Sequence, residues 1–272
     1  MPGLSGQVAL ITGGSQGVGR GIALSLGERQ ATVYITGRNP ELLASTAAAV
    51  SQRGGKGIAL RCDHADDSQV ESAVLQIQQD HGRLDILVNN VWGGYEAHPN
   101  GLGMSPFWKM GLEDWDGMFE RGLRAHFVTN RIGVPLMLTH PHGLIVNTIA
   151  WLQGKYLLNL YYDVAKNAVV RMTYGMALEL KKHGITAVAL APGFVRTERV
   201  MAAHSKFPFD LGGTESPEYI GRAVAHLAAD PENSRYTGQA LSVAELARSY
   251  GFTDVDGRQP PAFVMPEGMA LD

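Results

Sequence analysis

The chain has little cysteine and little net charge, and each shortage argues against a class of protein. Cys62 is the single cysteine in 272 residues, so no intrachain disulfide can form and the fold needs no oxidising compartment. The 23 Lys and Arg residues against 26 Asp and Glu residues give a net charge of −3. This balance argues against nucleic acid or an anionic membrane as a partner.

Long apolar runs are also missing from the sequence. No stretch approaches the roughly 20 apolar residues that a membrane-spanning helix needs. The N-terminus has no basic region followed by a long apolar core, as a signal peptide would have. We therefore expect a soluble, cytoplasmic protein with no membrane span. The histidines show no metal-ligand spacing, and we predict no metal site.

The sequence does contain a regular alternation of short apolar runs with longer amphipathic ones. The apolar runs predict seven strands, at 8–11, 32–36, 58–60, 84–88, 144–149, 185–190 and 240–243. Helices are predicted between them, and two of these have clear start signals, Asn39 before Pro40 and Ser216 before Pro217. Apolar strands alternating with helices predict an α/β fold, a single doubly wound parallel sheet of Rossmann type with helices on both faces.

A glycine-rich segment, "TGGSQGVG", joins the first predicted strand to the first helix. Glycines at this junction permit a tight turn and a close backbone approach to a pyrophosphate seated on the helix N-terminus. Such a segment is a weak signal elsewhere, but here it predicts dinucleotide binding. The predicted cofactor-binding residues of this loop are Thr12, Gly13, Ser15, Gln16, Gly17, Val18 and Gly19.

The end of the second predicted strand bears on the choice of cofactor. Sites for NAD often present an acidic residue there to the ribose 2′-hydroxyl. This strand ends in "TGR", with Arg38 and no carboxylate. A guanidinium can bind a 2′-phosphate, so the sequence favours NADP(H) over NAD(H). The alternative is that Arg38 is a solvated surface residue.

Tyr162 and Lys166 form a Tyr/Lys pair four residues apart, at the start of a helix that follows the fifth predicted strand. The spacing is common by chance, but the position is informative, because ligands of open α/β sheets bind at the carboxyl ends of the strands. A nearby lysine lowers the pKa of a phenol by favouring the phenolate. A tyrosine tuned in this way can exchange a proton with a carbonyl oxygen.

With the glycine loop, Asn-Asn at 89–90, the Tyr/Lys pair and Pro-Gly at 192–193 in this order, the chain resembles the short-chain dehydrogenase/reductase family. The resemblance covers nearly the whole chain, and stretches such as "GLRAHF" and "ELARSYGFTDVDGR" point to one branch of the family. It implies one NAD(P)-binding domain over 1–272, with a lid-like segment at about 194–216 and a C-terminal extension at about 244–272.

The resemblance also implies roles by position. Asp63 would approach the adenine, and Asn89 would lie along the cofactor. Lys166 would bind the nicotinamide ribose, and Tyr162 would be the acid/base. Three residues would border the nicotinamide: Pro192, Gly193 and Thr197. The neighbouring Tyr161 has no lysine at the required spacing, and we expect it to pack.

The chain departs from the family pattern at two positions. The family places a serine 12 or 13 residues before the tyrosine, where this chain has Ala150 and Ile149. The family also carries an asparagine in the preceding helix, where this chain has Gly122. Losing one hydrogen-bond donor to a developing oxyanion commonly costs about 10²–10³ in rate, which weakens an enzyme without abolishing catalysis.

Thr148 is the nearest hydroxyl that could replace the missing serine. It shares a strand face with Ala150 but lies about 6–7 Å further down the strand, so it would need a distorted strand end to reach a substrate. The alternative is that Thr148 packs in the buried strand. Asn147, Gln153, a water or a substrate hydroxyl are weaker candidates.

Apolar and aromatic residues surround the predicted site in sequence. They are Trp92, Tyr95, Trp151, Leu152 and Tyr156 on neighbouring loops, and Val200, Met201, Phe207, Phe209 and Leu211 in the lid-like segment. They predict a pocket for a hydrophobic small-molecule substrate. The alternative is packing between subunits, because the resemblance implies a homodimer or homotetramer.

Three functions follow from this sequence. The first is an NADP(H)-dependent oxidoreductase that interconverts a carbonyl and an alcohol, with the Tyr/Lys pair acting without the usual serine. The second is a nucleotide-binding protein that has lost catalysis. The third is an enzyme of the same fold that carries out dehydration or isomerisation. The intact Tyr/Lys pair favours the first, and the missing serine and asparagine favour the other two.

Overall fold

A computed structural model describes residues 3–94, 96, 105–150, 155–206, 208 and 210–264 of the chain. In these residues seven parallel strands form one sheet in the order β3-β2-β1-β4-β5-β6-β7. The strands are β1 (Val8–Ile11), β2 (Thr32–Gly37), β3 (Lys56–Arg61), β4 (Ile86–Asn89), β5 (Gly143–Thr148), β6 (Ile185–Ala191) and β7 (Ala240–Ser242). The predicted doubly wound parallel sheet is confirmed.

Helices cover both faces of this sheet. They are α1 (Gly17–Gly27), α2 (Pro40–Gln52), α3 (Asp67–His81), α4 (Glu113–Trp115), a π-helix (Asp116–Arg124), α5 (Ala125–Met137), α6 (Leu160–Leu180), α7 (Glu198–Lys206), α8 (Pro217–Ala229) and α9 (Val243–Tyr250). Short 3-10 turns are found at Phe107–Lys109, Lys181–His183 and Asn233–Tyr236.

Alternation along each buried strand divides the core into two layers. In β1, Ala9 and Ile11 pack with α1, α2, α8 and α9, whereas Val8 and Leu10 pack with α3, α5 and α6. Successive side chains of a strand point to opposite faces, so each strand contributes to both layers. The strand order reverses between β1 and β4, which opens a crevice at the carboxyl ends of these two strands.

Start signals in the sequence were confirmed in part. Asn39 caps α2, because its Oδ1 accepts hydrogen bonds from the backbone of Glu41 and Leu42, both at 3.0 Å. Ser216 does precede α8, but its hydroxyl makes no capping bond and instead donates to Asp254. The last predicted strand was one residue too long, since Val243 already begins α9.

Two helices, α7 and α9, were not predicted, and one predicted helix is irregular. The helix expected from about residue 112 continues without a break from α4 to α5, but its middle turns are a π-helix. These turns contain Gly117 and Gly122, which lie against Gly93 and Trp92. Because glycine has no side chain, the loop after β4 can pack closely on the helix at these two positions.

The segment after β6 is fixed at its base to the C-terminal region. Val195 and Glu215 form a parallel bridge, so the stretch containing α7 begins and ends at one point. Asp254 binds both sides of that point, accepting from the Ser216 backbone at 2.8 Å and from the Arg196 guanidinium at 3.3 Å. None of the described helices is long and apolar enough to cross a membrane.

Candidate active site

The predicted site residues meet at one edge of the sheet. Because all seven strands are parallel, their carboxyl ends share this edge. The predicted residues at or just after these ends are Thr12 (β1), Arg38 (β2), Asp63 (β3), Asn89 (β4), Thr148 (β5) and Pro192 (β6). Ligands of open α/β sheets bind outside this edge, so its residues form the candidate site.

The glycine loop is held in shape by Asn90. The Asn90 side-chain amide donates to the carbonyl oxygens of Thr12 and Gly13, both at 3.1 Å. The Thr12 hydroxyl is fully buried and accepts from the Asn90 backbone at 2.9 Å, so it supports the loop from behind. A β-carbon on Gly19 would lie 2.4 Å from the Gly13 oxygen. The sequence marked Asn90 as part of a motif but did not predict this bracing role.

The N-terminus of α1 binds an anionic group of the protein itself. Gly17 has a positive φ of 54°, and its backbone N–H donates to the Glu198 carboxylate at 2.9 Å. Thr197 lies against the same glycine, 3.4 Å from where a β-carbon would be. A carboxylate at a helix N-terminus stands in for the anion that such a site favours. The loop therefore fits the pyrophosphate of a dinucleotide, with Ser15, Gln16, Val18 and Gly19 beside Gly17.

Arg38, directly after β2, is part of an exposed charge cluster. Its guanidinium binds the Glu96 carboxylate at 2.6 Å, and Arg121 binds the same carboxylate at 2.7 Å. Two guanidiniums around one carboxylate leave a net positive charge beside the end of β2. Asp63, just after β3, accepts a hydrogen bond from the Ala65 backbone at 3.0 Å.

A buried network of amides lies beneath the centre of the edge. The Asn89 side-chain amide donates to the side-chain oxygens of Asn130 at 2.9 Å and Asn147 at 3.0 Å. Asn147 in turn donates to the Thr173 hydroxyl at 2.9 Å. The network ties β4 and β5 to α5 and α6, and Asn130 was not predicted. Asn147 has this structural role in the described arrangement.

The predicted Thr148 hydroxyl is engaged by the backbone. It is buried and donates to the Asn89 carbonyl oxygen at 3.3 Å. Its proton is therefore directed along the sheet, toward β4, in this arrangement. A catalytic role for Thr148 stays a prediction that would require this bond to break.

Tyr162 and Lys166 lie one turn apart on the buried side of α6, exposed by 4% and 6%. Asn159 caps this helix by accepting a hydrogen bond from the Tyr162 backbone at 3.0 Å, which places Tyr162 in the first turn. The Lys166 ammonium is 5.8 Å from the Tyr162 ring centroid. Burial lowers the pKa of Lys166 to about 7, so its charge is sensitive to small changes near neutral pH.

The two departures from the family pattern have distinct surroundings. Ala150 packs in the apolar cluster that contains Tyr162, whereas Ile149 is in a different cluster with Val169 and Ala189. Of the two registers, position 150 is therefore the one beside the tyrosine. At Gly122, a β-carbon would lie 2.6 Å from the Trp92 ring, so the ring covers this position.

A buried carboxyl group lies beside Pro192 and Gly193. A β-carbon on Gly193 would be 2.9 Å from Oε2 of Glu215, which is 1% exposed. Burial, with a smaller effect of the Asp254 charge, raises the pKa of Glu215 to about 8. The carboxyl is therefore mostly protonated at neutral pH. The sequence did not single out Glu215, because only the fold brings it back to the Pro-Gly turn.

Five residues of the predicted pocket lie outside the described residues, Tyr95, Trp151, Leu152, Phe207 and Phe209, as does Gln153, a candidate to replace the serine. Others are described. Trp92 contacts the Tyr162 ring edge-on, with centroids 5.5 Å apart. Tyr161 packs edge-on against Trp115, as expected of a packing residue. Apolar groups therefore make up part of the described surroundings of Tyr162, next to the Lys166 ammonium.

Comparison with known proteins identifies the class. Residues 7–207 match the family model of the short chain dehydrogenase, so the chain belongs to the short-chain dehydrogenase/reductase family of oxidoreductases. Its relatives support the branch to which the sequence motifs point. It is 39% identical to dehydrogenase/reductase SDR family member 1 of Mus musculus and 36% identical to that of Homo sapiens, over 94% of this chain and 85% of each relative.

More distant relatives and solved structures agree with this class. The chain is 30% identical to a 3-oxoacyl-[acyl-carrier-protein] reductase of Synechocystis, over 89% of this chain and 97% of that protein. A dehydrogenase/reductase from Sinorhizobium meliloti superposes with a TM-score of 0.75 at 27% identity, over 88% of this chain and 94% of that one. A hydroxysteroid dehydrogenase from Escherichia coli also superposes with a TM-score of 0.75, at 26% identity, over 88% of this chain and 96% of that one.

Proposed function

We propose that the protein interconverts a carbonyl and an alcohol on a hydrophobic small molecule, with NADP(H) as the cofactor and the Tyr/Lys pair as the acid/base apparatus. The observation that carries this proposal is that two buried groups, the Tyr162 phenol and the Lys166 ammonium, lie at the same edge of the parallel sheet as a glycine loop suited to a pyrophosphate. The bound cofactor would supply or accept the hydride.

The protein's own groups handle the proton. The Tyr162 hydroxyl gives a proton to the carbonyl oxygen during reduction and takes one back during oxidation. A positive Lys166 favours the phenolate and so lowers the pKa of that hydroxyl. With the pKa of Lys166 itself near 7, this assistance is strongest below neutral pH and declines as pH rises and the lysine loses its proton.

The preference for NADP(H) rests on the charge at the end of β2. Arg38 and Arg121 are already gathered around one carboxylate, that of Glu96. A 2′-phosphate carries more negative charge and more acceptor oxygens than a carboxylate, so it would compete well for these guanidiniums. At the position where NAD sites often have a carboxylate, this chain has Arg38.

A hydrophobic substrate is favoured by the surroundings of the tyrosine. Met118, Leu157 and Ala150 pack in its cluster, and Trp92 borders its ring. Polar substrates would lose hydration here with few groups to compensate them. In a panel of ketones, large apolar members should therefore have higher kcat/KM than small polar ones. The reverse order would contradict the apolar pocket.

Turnover of NADPH by neighbouring tyrosine variants tests the proposal. Tyr162→Phe should lower kcat/KM by about 10²–10⁴-fold, the usual contribution of a general acid. Tyr161→Phe is the matched control, because this adjacent tyrosine has no lysine four residues on, and it should keep wild-type activity. NADPH binding without turnover on any ketone or quinone would instead favour a protein without catalysis. Conversion of a substrate without oxidation of NADPH would favour dehydration or isomerisation.

Association into a homodimer or homotetramer is also proposed. It is supported by a mostly apolar groove on α4, the π-helix, α5 and α6, lined by Trp115, Phe119, Leu123, Phe127, Ala168 and Met172 together with the charged Glu120 and Arg124. Phe127, 54% exposed, is a large apolar side chain at this surface. Phe127→Glu should lower the mass measured by analytical ultracentrifugation if copies meet here. A cytoplasmic location stays a prediction.

A further inference from the structure

The Lys166 ammonium is buried, and no opposite charge in the described part of the chain balances it. Burial is the sole cause of its lowered pKa, so no carboxylate among the described residues offsets the loss of hydration. The titratable groups that face it are Tyr162 on its own helix and His126 on α5. Burial and the Lys166 charge lower the pKa of His126 to about 3, so His126 is neutral at physiological pH. Lys166 is therefore the cation of this site.

The partner that Lys166 does have is an aromatic ring. Its Nζ lies 3.6 Å from the centroid of the Trp92 ring, well inside the distance of a cation–π interaction. The same indole contacts Tyr162 edge-on, with an angle of 82° between the planes of the two rings. Trp92 thus contacts both members of the Tyr/Lys pair, although it is on the loop after β4 and they are on α6.

Two features of the fold set the position of this indole. Gly122 leaves room for it, since a β-carbon there would lie 2.6 Å from Cζ3 and 2.7 Å from Cε3 of Trp92. On the other side of the loop, Nε2 of His126 lies 3.0 Å from the Val91 carbonyl oxygen. A carbonyl oxygen only accepts, so this nitrogen carries the proton and ties down the residue before Trp92.

We propose that Trp92 is a positioning residue that keeps the Lys166 ammonium charged and beside Tyr162, in the space that Gly122 leaves open. This inference rests on the proposed function of the Tyr/Lys pair. A negative ring face favours the charged form of the lysine, and so it opposes the effect of burial. Weakening the negative face of the Trp92 ring should lower the pKa of Lys166 further. Lys166 would then lose its proton, and stop assisting Tyr162, at a lower pH.

Fluorination of Trp92 tests the ring face without removing its shape. The fluorine of a site-specifically incorporated 7-fluorotryptophan draws electron density from the ring face. This fluorine is on Cζ2, which is not among the ring atoms nearest to Gly122. The pKa of Lys166 is followed by carbon NMR of its Cε, assigned by comparison with Lys166→Arg. We expect the pKa to fall by a few tenths of a unit on fluorination, and by about one unit in Trp92→Met.

Two further variants distinguish the ring from its bulk. Trp92→Phe restores an aromatic face and should recover part of the pKa lost in Trp92→Met. Gly122→Ala should push the indole away and act like Trp92→Met, whereas Gly175→Ala on α6, with nothing within 4 Å, is the matched control that should leave the pKa unchanged. In each affected variant the alkaline limit of NADPH turnover should move to lower pH together with the NMR value.

The NMR readout separates this inference from the proposed function. A pKa that is unchanged or raised in the fluorinated protein overturns the role of Trp92, whether or not NADPH turns over. A pKa that falls as expected supports that role even in a protein that reduces no ketone. In that case it is the proposed function that fails. A shifted pKa with an unshifted turnover limit would overturn the link from Trp92 through Lys166 to Tyr162.

Discussion

The two ends of the candidate cofactor cleft recognise charge in different ways. At the glycine loop an anion is bound by the backbone, since the Gly17 N–H at the start of α1 donates to the Glu198 carboxylate. At the Tyr/Lys pair a cation is held by a side chain, since the Lys166 ammonium lies on the Trp92 ring. Backbone recognition depends on glycines at fixed positions, whereas side-chain recognition depends on which distant residues the fold brings together.

This difference predicts how each end responds to substitution. The glycine loop has no spare volume, because β-carbons at several of its positions would meet backbone atoms. Near the Tyr/Lys pair the chain has Ala150 and Gly122 at the positions of the family's serine and asparagine. We therefore expect substitutions at the glycine loop to abolish binding of the cofactor. Substitutions near the Tyr/Lys pair should instead change the rate of turnover.

Gly19→Ala should have the largest effect. A β-carbon would lie 2.4 Å from the Gly13 oxygen and 2.5 Å from the Asn90 amide, so the loop must open. We expect NADPH affinity to fall by more than about 100-fold and the free energy of unfolding to fall by about 1–3 kcal/mol, as for other overpacked sites. Titration calorimetry and urea unfolding measure the two. Gly175→Ala, in open space, is the control, and equal affinity in both variants would contradict the loop's role.

Arg38→Ala should weaken NADPH binding by about 10- to 100-fold, the range expected for a lost hydrogen bond between charged groups. NADH, which lacks the 2′-phosphate, should bind Arg38→Ala as it binds the wild type. Arg171→Ala, whose guanidinium packs on Tyr174, controls for the general loss of a positive charge. An equal loss of affinity for both cofactors would show that Arg38 does not read the 2′-phosphate.

Ala150→Ser should raise kcat by about tenfold, because it adds a hydroxyl beside Tyr162 that can donate to the developing oxyanion. Ile149→Ser is the informative partner. Ile149 is 3% exposed in a separate apolar cluster, so this change should lower the free energy of unfolding by about 3 kcal/mol without raising kcat. A gain in kcat from Ile149→Ser alone would mean that the other register faces the substrate.

Glu198→Gln should have the smallest effect. The Glu198 carboxylate occupies the N–H group that a pyrophosphate would use, so removing its charge should tighten NADPH binding by about threefold. Glu71→Gln, on the exposed surface of α3, is the charge-matched control. Weaker binding in Glu198→Gln than in this control would show that Glu198 assists the cofactor rather than competing with it.

The fold could be predicted from the sequence because its signals are local. Short apolar runs located all seven strands, and Asn39 with Pro40 located the start of α2. The amphipathic helix α9 was missed because it begins directly at the end of β7, without a turn to separate them. The lid-like segment was likewise predicted without its helix α7, although six residues separate that helix from the end of β6.

The candidate site was predictable only where a motif contains the whole feature. The glycine loop and the Tyr/Lys pair are each contained in a few neighbouring residues. The Glu198 contact with Gly17 and the Glu215 contact with Gly193 are made between segments far apart in sequence or joined by a long loop. Trp92 was predicted as a pocket residue, but nothing local indicates that Gly122 makes room for it above Lys166.

Isotope transfer tests the central claim most directly. NADPH that carries deuterium at both hydrogen positions of the nicotinamide C4 is incubated with a large apolar ketone, and the alcohol is analysed by mass spectrometry. We predict one deuterium at the former carbonyl carbon, formed at least about 100-fold more slowly by Tyr162→Phe although that variant still binds NADPH. An alcohol formed without deuterium, or at the same rate by Tyr162→Phe, would contradict the account.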